Sequence, residues 1–344
     1  MVNLKYFRIY SATGVYEPEP NMDVTLLSND NVVVRLLGAN TYASVLDELL
    51  TSLGKRISDL DGKALKEIQS TRNSYLACSH SNAILYISAS QPLADIDLEE
   101  IQDDDGPNLE KLPHKAKVVR AFGVVATAVS LSRFSVISKD YEFVLDGYYA
   151  IDESSGAFKK LYHHERSRSQ TMSRINQEEI QSAMFLAEIL HADKELQAVI
   201  DLFSGSLKPY ESGFLQAFIS AWTGLEIFIA KQFKAIQLNI GITIKGAPAH
   251  NIFSERMLEV MKDKYRLLDK FVALSNYFNE SGADDDISLF KKIKKVRDDF
   301  FHSMVGSVES LPLNETRELL EKYLKLYLVN DKKIIGLSIK KSGM

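Results

Sequence analysis

Hydrophobic residues recur with two different periods along the chain, and the change of period divides it into two parts. In the first part, short runs rich in β-branched and aromatic residues predict strands over residues 6–11, 32–37, 82–90, 141–151 and 157–162. The last two runs flank residues 152–156, a turn-forming segment that predicts a β-hairpin. A helical period predicts a helix over 42–53, and a second helix is expected over 115–131 despite its ambiguous Val-, Ala- and Thr-rich middle.

From residue 177 onward, apolar residues recur every three or four positions, which is the period of amphipathic helices. Helices are predicted over residues 177–189, 192–203, 215–233, 257–278, 289–300 and 314–327. Pro209 precedes the longest of them, and Asn314 is the predicted N-cap of the last. The glycine-containing stretches 239–250 and 279–286 are predicted to be loops, and alternation over 332–340 predicts a terminal strand.

The fold class that follows is α+β, with an N-terminal mixed α/β domain over residues 1–165 and an all-α helical bundle over 205–330. Residues 166–174 are rich in Ser and Arg, which is typical of a linker. Residues 166–204 as a whole are predicted to be a linker and helical connector, whose helices we expect to pack on the bundle. Residues 331–344 are predicted to form a C-terminal tail or strand.

The composition, with 45% hydrophobic and 25% charged residues, is typical of a soluble globular protein. No run reaches the ~20 apolar residues that a membrane span needs. No apolar signal region follows the charged first residues either. We therefore expect a cytoplasmic protein with no membrane partner. The single cysteine, Cys78, has no disulfide partner within the chain, and a buried structural thiol is the favoured interpretation.

The net charge of −5 is unevenly distributed along the chain. Residues 205–344 carry 21 Lys and Arg against 17 Asp and Glu, whereas residues 1–204 carry 20 against 29. A mildly basic C-terminal part beside an acidic N-terminal part favours an anionic ligand at the former. The excess is too small to identify that ligand.

Two clusters of potential metal ligands lie in the first part of the chain. Asp103, Asp104 and Asp105 lack the alternating spacing of a calcium loop, so a solvated loop is the favoured interpretation. His163 and His164 are adjacent at the end of the predicted hairpin, and adjacent residues of a strand point to opposite faces. The cysteine and histidine spacing does not fit a zinc site. The sequence therefore predicts no metal and no cofactor.

Charged residues are concentrated on the predicted helix around residues 291–303, which carries four lysines, one arginine, two aspartates and a histidine. Its predicted apolar face consists of Leu289, Ile293, Val296 and Phe300. Arg297 and His302 are separated by four residues, and Asp298 directly follows the arginine. Taken alone, this pattern is more typical of an arginine paired across the bundle and a histidine at an interface.

A second segment, FISAWTGLE at residues 218–226, lies in the longest predicted helix. Together the two segments resemble the HEPN superfamily, and residues 218–226 are similar to the first-helix signature of its Apea-like branch. The likeness extends over about residues 204–330. The superfamily includes metal-independent ribonucleases, many of them toxins or antiviral effectors, and members that have lost catalysis. The resemblance implies a HEPN-type bundle acting as an endoribonuclease, in a prokaryotic toxin or antiphage defence effector.

The residue types suit the chemistry that the resemblance implies. Attack by the 2′-hydroxyl of RNA requires a group that takes its proton, which suits histidine. It also requires positive charge on the phosphate, which suits the planar fork of arginine. By position in the family's pattern, Arg297 would clamp the phosphate, His302 would act as general base or acid, and Asp298 would help to orient them. Glu226, on the earlier helix, is the candidate for a further polar residue nearby.

Helix geometry raises a difficulty for this assignment. Five residues of an ideal α-helix rotate the chain by about 500°, so the side chains of Arg297 and His302 would diverge by about 140°. Either the helix breaks or kinks near Asp298 and Asp299, or a second copy completes the site. The family's tendency to dimerise implies a homodimer through the C-terminal bundle.

Lys291, Lys294 and Lys295 share one side of the predicted helix and are expected to bind RNA phosphates, although a lysine-rich face is also typical of a solvated helix. Lys292 is displaced by about 100° from Lys291. The alternative function is a catalytically inactive HEPN module that binds RNA or nucleotide or mediates dimerisation, and a third class is a structural adaptor. The N-terminal domain is expected to bind a regulatory partner or ligand.

Overall fold

The computed structural model describes residues 2–16, 19–29, 31–54, 82–92, 102–103, 106–107, 113–133, 141–152, 157–165, 173–209, 213–246, 266–303 and 306–330. The chain divides into two compact units. The first comprises residues 1–194 with 207–211, and the second comprises 195–206 with 212–344. The predicted fold class, α+β, is confirmed, because helices and an antiparallel sheet occur in the same chain.

The first unit contains a sheet whose strands are separated by helices. The strands are Val2–Tyr16 (β1), Asp23–Asn29 (β2), Val32–Leu37 (β3), Asn82–Pro92 (β4), Gln102–Asp103 (β5), Gly106–Pro107 (β6), Tyr141–Asp152 (β7), Ala157–Glu165 (β8) and Ser173–Arg174 (β9). Seven of these strands form one sheet with the order β2-β3-β4-β1-β7-β8, in which β9 also pairs with β1, and β5 and β6 form a separate two-stranded sheet. Neighbours along this order are antiparallel, β9 is parallel to β1, and β7 and β8 form the predicted hairpin.

The central strand β1 is buried because helices cover both faces of the sheet. Phe7 and Ile9 belong to a core cluster with residues of helix α1 (Ala39–Gly54). Tyr10 lies on the opposite face by strand alternation, and its ring centroid is 4.2 Å from that of Phe122 in helix α2 (Pro113–Ser132). Helix α3 (Gln177–Ala192) packs in turn on α2.

The weak helical signal of α2 has a structural explanation. All residues from 121 to 133 are buried, because the sheet lies on one side of the helix and α3 on another. A helix that is covered all round needs no amphipathic period. Its Val- and Ala-rich middle, which also suits a strand, is therefore compatible with a fully buried helix.

The second unit is built around one long helix. Its helices are Gln197–Ser206 (α4), Phe214–Gly246 (α5), Leu267–Phe278 (α6), Ala283–Ser303 (α7) and Leu313–Asn330 (α8), with short 3₁₀ turns over Glu280–Gly282 and Val308–Ser310. The 33-residue α5 contacts α4, α6 and α8. A Cβ atom added at Gly224 would lie 3.1 Å from the Leu320 side chain, so the glycine permits the close approach of α8 to α5.

The observed division of the chain differs from the predicted connector over 166–204. Residues 173–174 form β9 and join the sheet, and α3 packs on α2 and β2 of the first unit, to which it belongs. Of the two helices predicted in this connector, only α4, which begins after the turn that follows Asp193, belongs to the second unit. The pattern of α3 shows that it has a buried face but does not identify the surface that covers it.

Three predicted boundaries in the second unit are wrong. Residues 239–246 continue α5, because glycine lowers helix propensity but keeps its N–H group, and the first proline after them is Pro248. The predicted loop 279–286 contains the start of α7, whose first turn carries three aspartates that interact favourably with the helix dipole. Asn314 is not an N-cap, since α8 already begins at Leu313.

Some predictions concern residues outside the described part. These are the thiol of Cys78, the aspartates Asp104 and Asp105, the helix over 257–265 and the terminal strand over 332–340. His163 and His164 occupy consecutive positions of β8, and their side chains also lie outside the described part. Within the described ranges, no helix combines the length and the apolarity that crossing a bilayer requires.

Candidate functional site

Arg297, Asp298 and His302 lie on the last two turns of α7, which is continuous from Ala283 to Ser303. Of the two alternatives, a break near Asp298 and Asp299 is not observed, since this stretch contains neither proline nor glycine to interrupt the helix. On a continuous helix the Arg297 and His302 side chains diverge by about 140°. A single copy does not direct both of them at the same phosphate.

The Arg297 side chain is held between aromatic rings of two helices. Its guanidinium carbon lies 5.8 Å from the ring centroid of Trp222 on α5 and 5.4 Å from that of Phe301 on α7, which are cation–π distances. Its Nη1 donates to Asp298 Oδ1 at 2.9 Å, and its Nε is buried without a hydrogen-bond partner in the described part. With 30% of the side chain exposed, the guanidinium retains N–H groups for a further acceptor.

Asp298 accepts hydrogen bonds from two cations. Lys294, one turn earlier on α7, donates to Oδ2, and Arg297 donates to Oδ1. Burial raises the pKa of Asp298, but the hydrogen bonds and charges of Lys294 and Arg297 outweigh it and hold the pKa below its usual value of 3.8. The carboxylate is therefore ionised at neutral pH and fixes the position of both cations, which is the kind of contact that its predicted orienting role requires.

His302 is exposed near the end of α7. It has no hydrogen bond or ion pair with any residue that the structure describes. The neighbouring Phe301 is 36% exposed. The imidazole is therefore accessible to a ligand or to a second protein chain.

Glu226 is half-buried on α5. Among the described residues it forms no hydrogen bond or ion pair, so no contact joins this candidate polar residue to Arg297, Asp298 or His302. Trp222, one turn earlier, makes the contact with Arg297 instead. The two sequence segments that resemble HEPN proteins thus meet through a tryptophan and an arginine rather than through a carboxylate.

A stack of aromatic rings connects Trp222 to the rest of the bundle. Its ring lies 5.6 Å from Phe290 of α7, and Phe290 lies 4.3 Å from Phe271 of α6, with interplanar angles of 20° and 18°. Phe271 is in turn 5.2 Å from Tyr323 of α8. Three other helices therefore hold α7, and through it the surface that carries Arg297.

The buried face of α7 differs from the predicted one. Phe290 and Ile293 are 0% and 1% exposed, whereas Leu289, Val296 and Phe300 are only half-buried. The buried residues of α7 are Ala283, Asp286, Phe290 and Ile293, in steps of three, four and three, and Arg297, one turn further on, is half-buried. An apolar pattern does not identify this face, because it leaves out the charged Asp286 and includes Leu289, Val296 and Phe300, which are only half-buried.

A buried polar network fixes the start of α7. Asp286, which is 5% exposed, accepts hydrogen bonds from Asn279 Nδ2 at 2.8 Å, Lys322 Nζ at 2.7 Å and Tyr323 Oη at 2.9 Å. The Tyr323 hydroxyl is also 2.6 Å from Ser275 Oγ. Burial, reinforced by the Asp286 carboxylate, raises the pKa of Tyr323. The network connects α6, α7 and α8 at the end of α7 opposite Arg297.

The lysines of α7 have two different environments. Lys291, Lys292 and Lys295 are exposed and have no ion-pair partner in the described part, whereas Lys294 is half-buried and pairs with Asp298. The exposed lysines are therefore available to an anionic ligand without loss of a protein contact.

Comparisons of the chain with protein-family models, with curated proteins and with solved structures found no match. Among the residues that the structure describes, no group of three or more His, Cys, Asp or Glu side chains is arranged to hold a metal ion. The chemistry of the site therefore follows from its own residues alone.

Proposed function

We propose that the protein is a metal-independent endoribonuclease of HEPN type, with its site on the last two turns of α7. The observation that supports the proposal most is the state of Arg297. Its guanidinium is seated on Trp222 and oriented by an ionised Asp298, yet it retains N–H groups that no described residue accepts. His302, five residues further along the same helix, is exposed. An oriented cation with unused donors is suited to a phosphate whose charge increases in the transition state.

The proposed reaction assigns one role to each side chain. His302 takes the proton of the RNA 2′-hydroxyl, whose oxygen attacks the adjacent phosphorus and displaces the 5′-oxygen of the next nucleotide. The leaving oxygen takes a proton from water and His302 releases its proton to the solvent, so the products are a 2′,3′-cyclic phosphate and a 5′-hydroxyl end with no net proton change. Arg297 donates hydrogen bonds to the phosphate oxygens, and Asp298 keeps its guanidinium in place.

The divergence of Arg297 and His302 favours a site that two copies share. In a two-fold dimer formed through the second unit, Arg297 of one copy and His302 of the other would act on the same phosphate, and the symmetry would generate two such sites. The proposed biological role is that of a prokaryotic toxin or antiphage effector in the cytoplasm. The N-terminal unit would bind a regulatory partner or ligand.

One observation favours a second candidate function. Arg297 contacts two rings and forms an ion pair within its own helix, which is also how an arginine with a purely structural role behaves. The second candidate is accordingly a catalytically inactive HEPN module that binds RNA or nucleotide or mediates dimerisation.

Purified protein incubated with end-labelled RNA in excess EDTA distinguishes these functions. The ribonuclease proposal predicts cleavage that leaves cyclic phosphate ends and that disappears in Arg297→Ala and in His302→Ala. Retention of RNA without cleavage would favour the inactive binding module. The absence of both binding and cleavage would leave the structural adaptor.

A further inference from the structure

Phe301 is an exposed aromatic residue between the two proposed catalytic residues. In the described part of the second unit, the exposed large hydrophobic residues are Leu238, Ile242, Tyr277 and Phe301. Of these, Phe301 is the one whose ring contacts Arg297, at 5.4 Å from the guanidinium carbon. An apolar ring exposed beside a candidate phosphate-binding arginine needs an explanation, because burial of a phenylalanine side chain is worth about 1.5–3 kcal/mol.

The ring of Phe301 is fixed rather than loosely exposed. Phe300 meets it edge to face, with ring centroids 5.1 Å apart and an interplanar angle of 84°. The guanidinium of Arg297 lies over the same ring. Two neighbours therefore orient the ring, and 36% of the residue stays accessible.

The surroundings of Phe301 are cationic. Lys294, Arg297 and Phe301 follow one another in steps of three and four residues, so they lie along one stripe of α7. On a helix that rises 1.5 Å per residue, Phe301 is about 6 Å along the axis from Arg297. This is close to the length of one nucleotide, so a phosphate at Arg297 brings an adjacent base within reach of the ring.

We propose that Phe301 is a stacking platform for a nucleobase, and that the site accordingly takes single-stranded RNA. The inference rests on the proposed function, since it assumes that RNA is the ligand of the Arg297 surface. Single-stranded nucleic acids are bound by a combination of basic side chains along the backbone and aromatic rings on which bases stack. The bases of a duplex are already stacked on each other and are not available to the ring.

An exposed phenylalanine also suits a protein contact, and the charge of the neighbourhood decides against it. Residues 291–301 carry five Lys and Arg against Asp298 and Asp299, so the helix before the ring has a net charge of +3, although Asp298 pairs with Lys294 and Arg297. Protein interface cores are depleted in lysine and other charged residues. An aromatic ring among cations instead suits a ligand that is both aromatic and anionic, which describes a nucleotide strand.

The test is RNA binding in a His302→Ala background, in which the proposal predicts that RNA is not cut. Phe301→Ala is expected to weaken binding of a short single-stranded RNA about tenfold, which is within the range of base–aromatic stacking. Phe301→Tyr should restore binding, and Phe301→Leu should not, because leucine keeps apolar volume without a ring. For duplex RNA, and for an abasic strand of the same length, Phe301→Ala should change the affinity less than twofold.

Tyr277→Ala is the matched control. Tyr277 is 52% exposed and is also fixed edge to face, by Phe278 at 5.0 Å, but it lies on α6. Its removal should leave RNA binding within twofold of the parent protein. If Phe301→Ala behaves like Tyr277→Ala while Arg297→Ala weakens binding, the stacking inference is wrong and the proposed function is retained.

Two other outcomes would also overturn the inference. If Phe301→Ala converts a dimer to a monomer and Phe301→Tyr fails to restore RNA binding, the ring contacts a second protein copy instead of a base. If the His302→Ala parent binds no RNA at all, the proposed function and the stacking inference fall together.

Discussion

Arg297 has partners of two kinds, and they have different consequences for its chemistry. Trp222 and Phe301 attract the guanidinium through their ring faces, whereas Asp298 accepts one of its hydrogen bonds. The rings use none of the N–H groups, so they position the cation while leaving donors for a ligand. A lysine at this position would keep the positive charge, but it has no planar group to stack on the two rings and no forked set of N–H donors for a phosphate.

Arg297→Lys therefore tests the geometry separately from the charge. We expect cleavage to fall about 100-fold or more, as for loss of an oriented donor to a transition-state oxyanion.

His302→Ala should lower the rate about 10²–10⁴-fold, which is the usual contribution of general acid–base catalysis. The measurement is single-turnover cleavage of labelled RNA, with circular dichroism to establish that both variants are folded. Rates within a few-fold of wild type for both would refute the assignment.

Asp298 should make a pH-dependent contribution to stability. Its pKa is lowered in the folded protein, so the contribution is present above the unfolded-state pKa and is lost as the pH falls through the lower folded-state pKa. Because the ion pair is partly exposed, the effect at pH 7 is expected to be up to about 1 kcal/mol. Asp298→Asn should thus be less stable than wild type at neutral pH. At a pH below the folded-state pKa of Asp298, the two proteins should be equally stable.

The control for this experiment is Asp299→Asn, because Asp299 is exposed and has no ion pair in the described part. The free energies of unfolding would be compared across the acid range for both variants. A difference between Asp298→Asn and wild type that persists unchanged at low pH would show that the carboxylate charge is not its source.

At the scale of the element, α7 is fixed near its start by a polar network and along its length by stacked rings. Asp286→Asn would leave the ammonium group of Lys322 without its buried counter-charge. Breaking a fully buried pair costs about 3–5 kcal/mol, and because the Lys322 side chain is 19% exposed the loss here is expected to be near the lower end of that range. Asp285→Asn, in the same first turn but exposed, should cost no more than about 1 kcal/mol through the helix dipole. Equal losses of unfolding free energy in the two variants would contradict the network's role.

The lysines of α7 should contribute unequally to RNA binding. Each phosphate contact that is lost should reduce the log–log salt slope by about 0.7 for a single strand. Lys291→Ala and Lys294→Ala are expected to show this change, and Lys292→Ala is not. Lys294→Ala should weaken binding more than Lys291→Ala, because it also removes one of the two cations that pair with the Asp298 carboxylate, whose charge then repels phosphate more strongly. Slopes that do not change in any variant would assign these lysines to a solvated helix face.

The same helix illustrates how far the sequence determines the fold. Helical and strand periods were sufficient to predict most elements, including the β7–β8 hairpin and α5. They did not identify the buried face of α7, because that face includes Asp286, whose burial depends on hydrogen-bond donors supplied by α8. Trp222 was recognised as an apolar position of α5, but its contact with Arg297 depends on how α5 and α7 pack.

At the scale of the whole molecule, the continuity of α7 is the decisive feature. It separates Arg297 from His302 by about 140° around the helix, so the proposed chemistry requires a second copy of the chain. We expect a dimer in light scattering at micromolar concentration. A monomer whose activity per molecule is independent of dilution would be incompatible with a shared site.

The most direct test of this account is complementation between two inactive variants. Arg297→Ala and His302→Ala would be co-expressed or allowed to exchange subunits, and RNA cleavage would be measured in excess EDTA. If each site takes Arg297 from one copy and His302 from the other, every mixed dimer contains one intact site, and a random mixture should show about a quarter of wild-type activity. A mixture that remains inactive while wild type cleaves would contradict the shared site, and a wild-type protein that cleaves no RNA would contradict the ribonuclease itself.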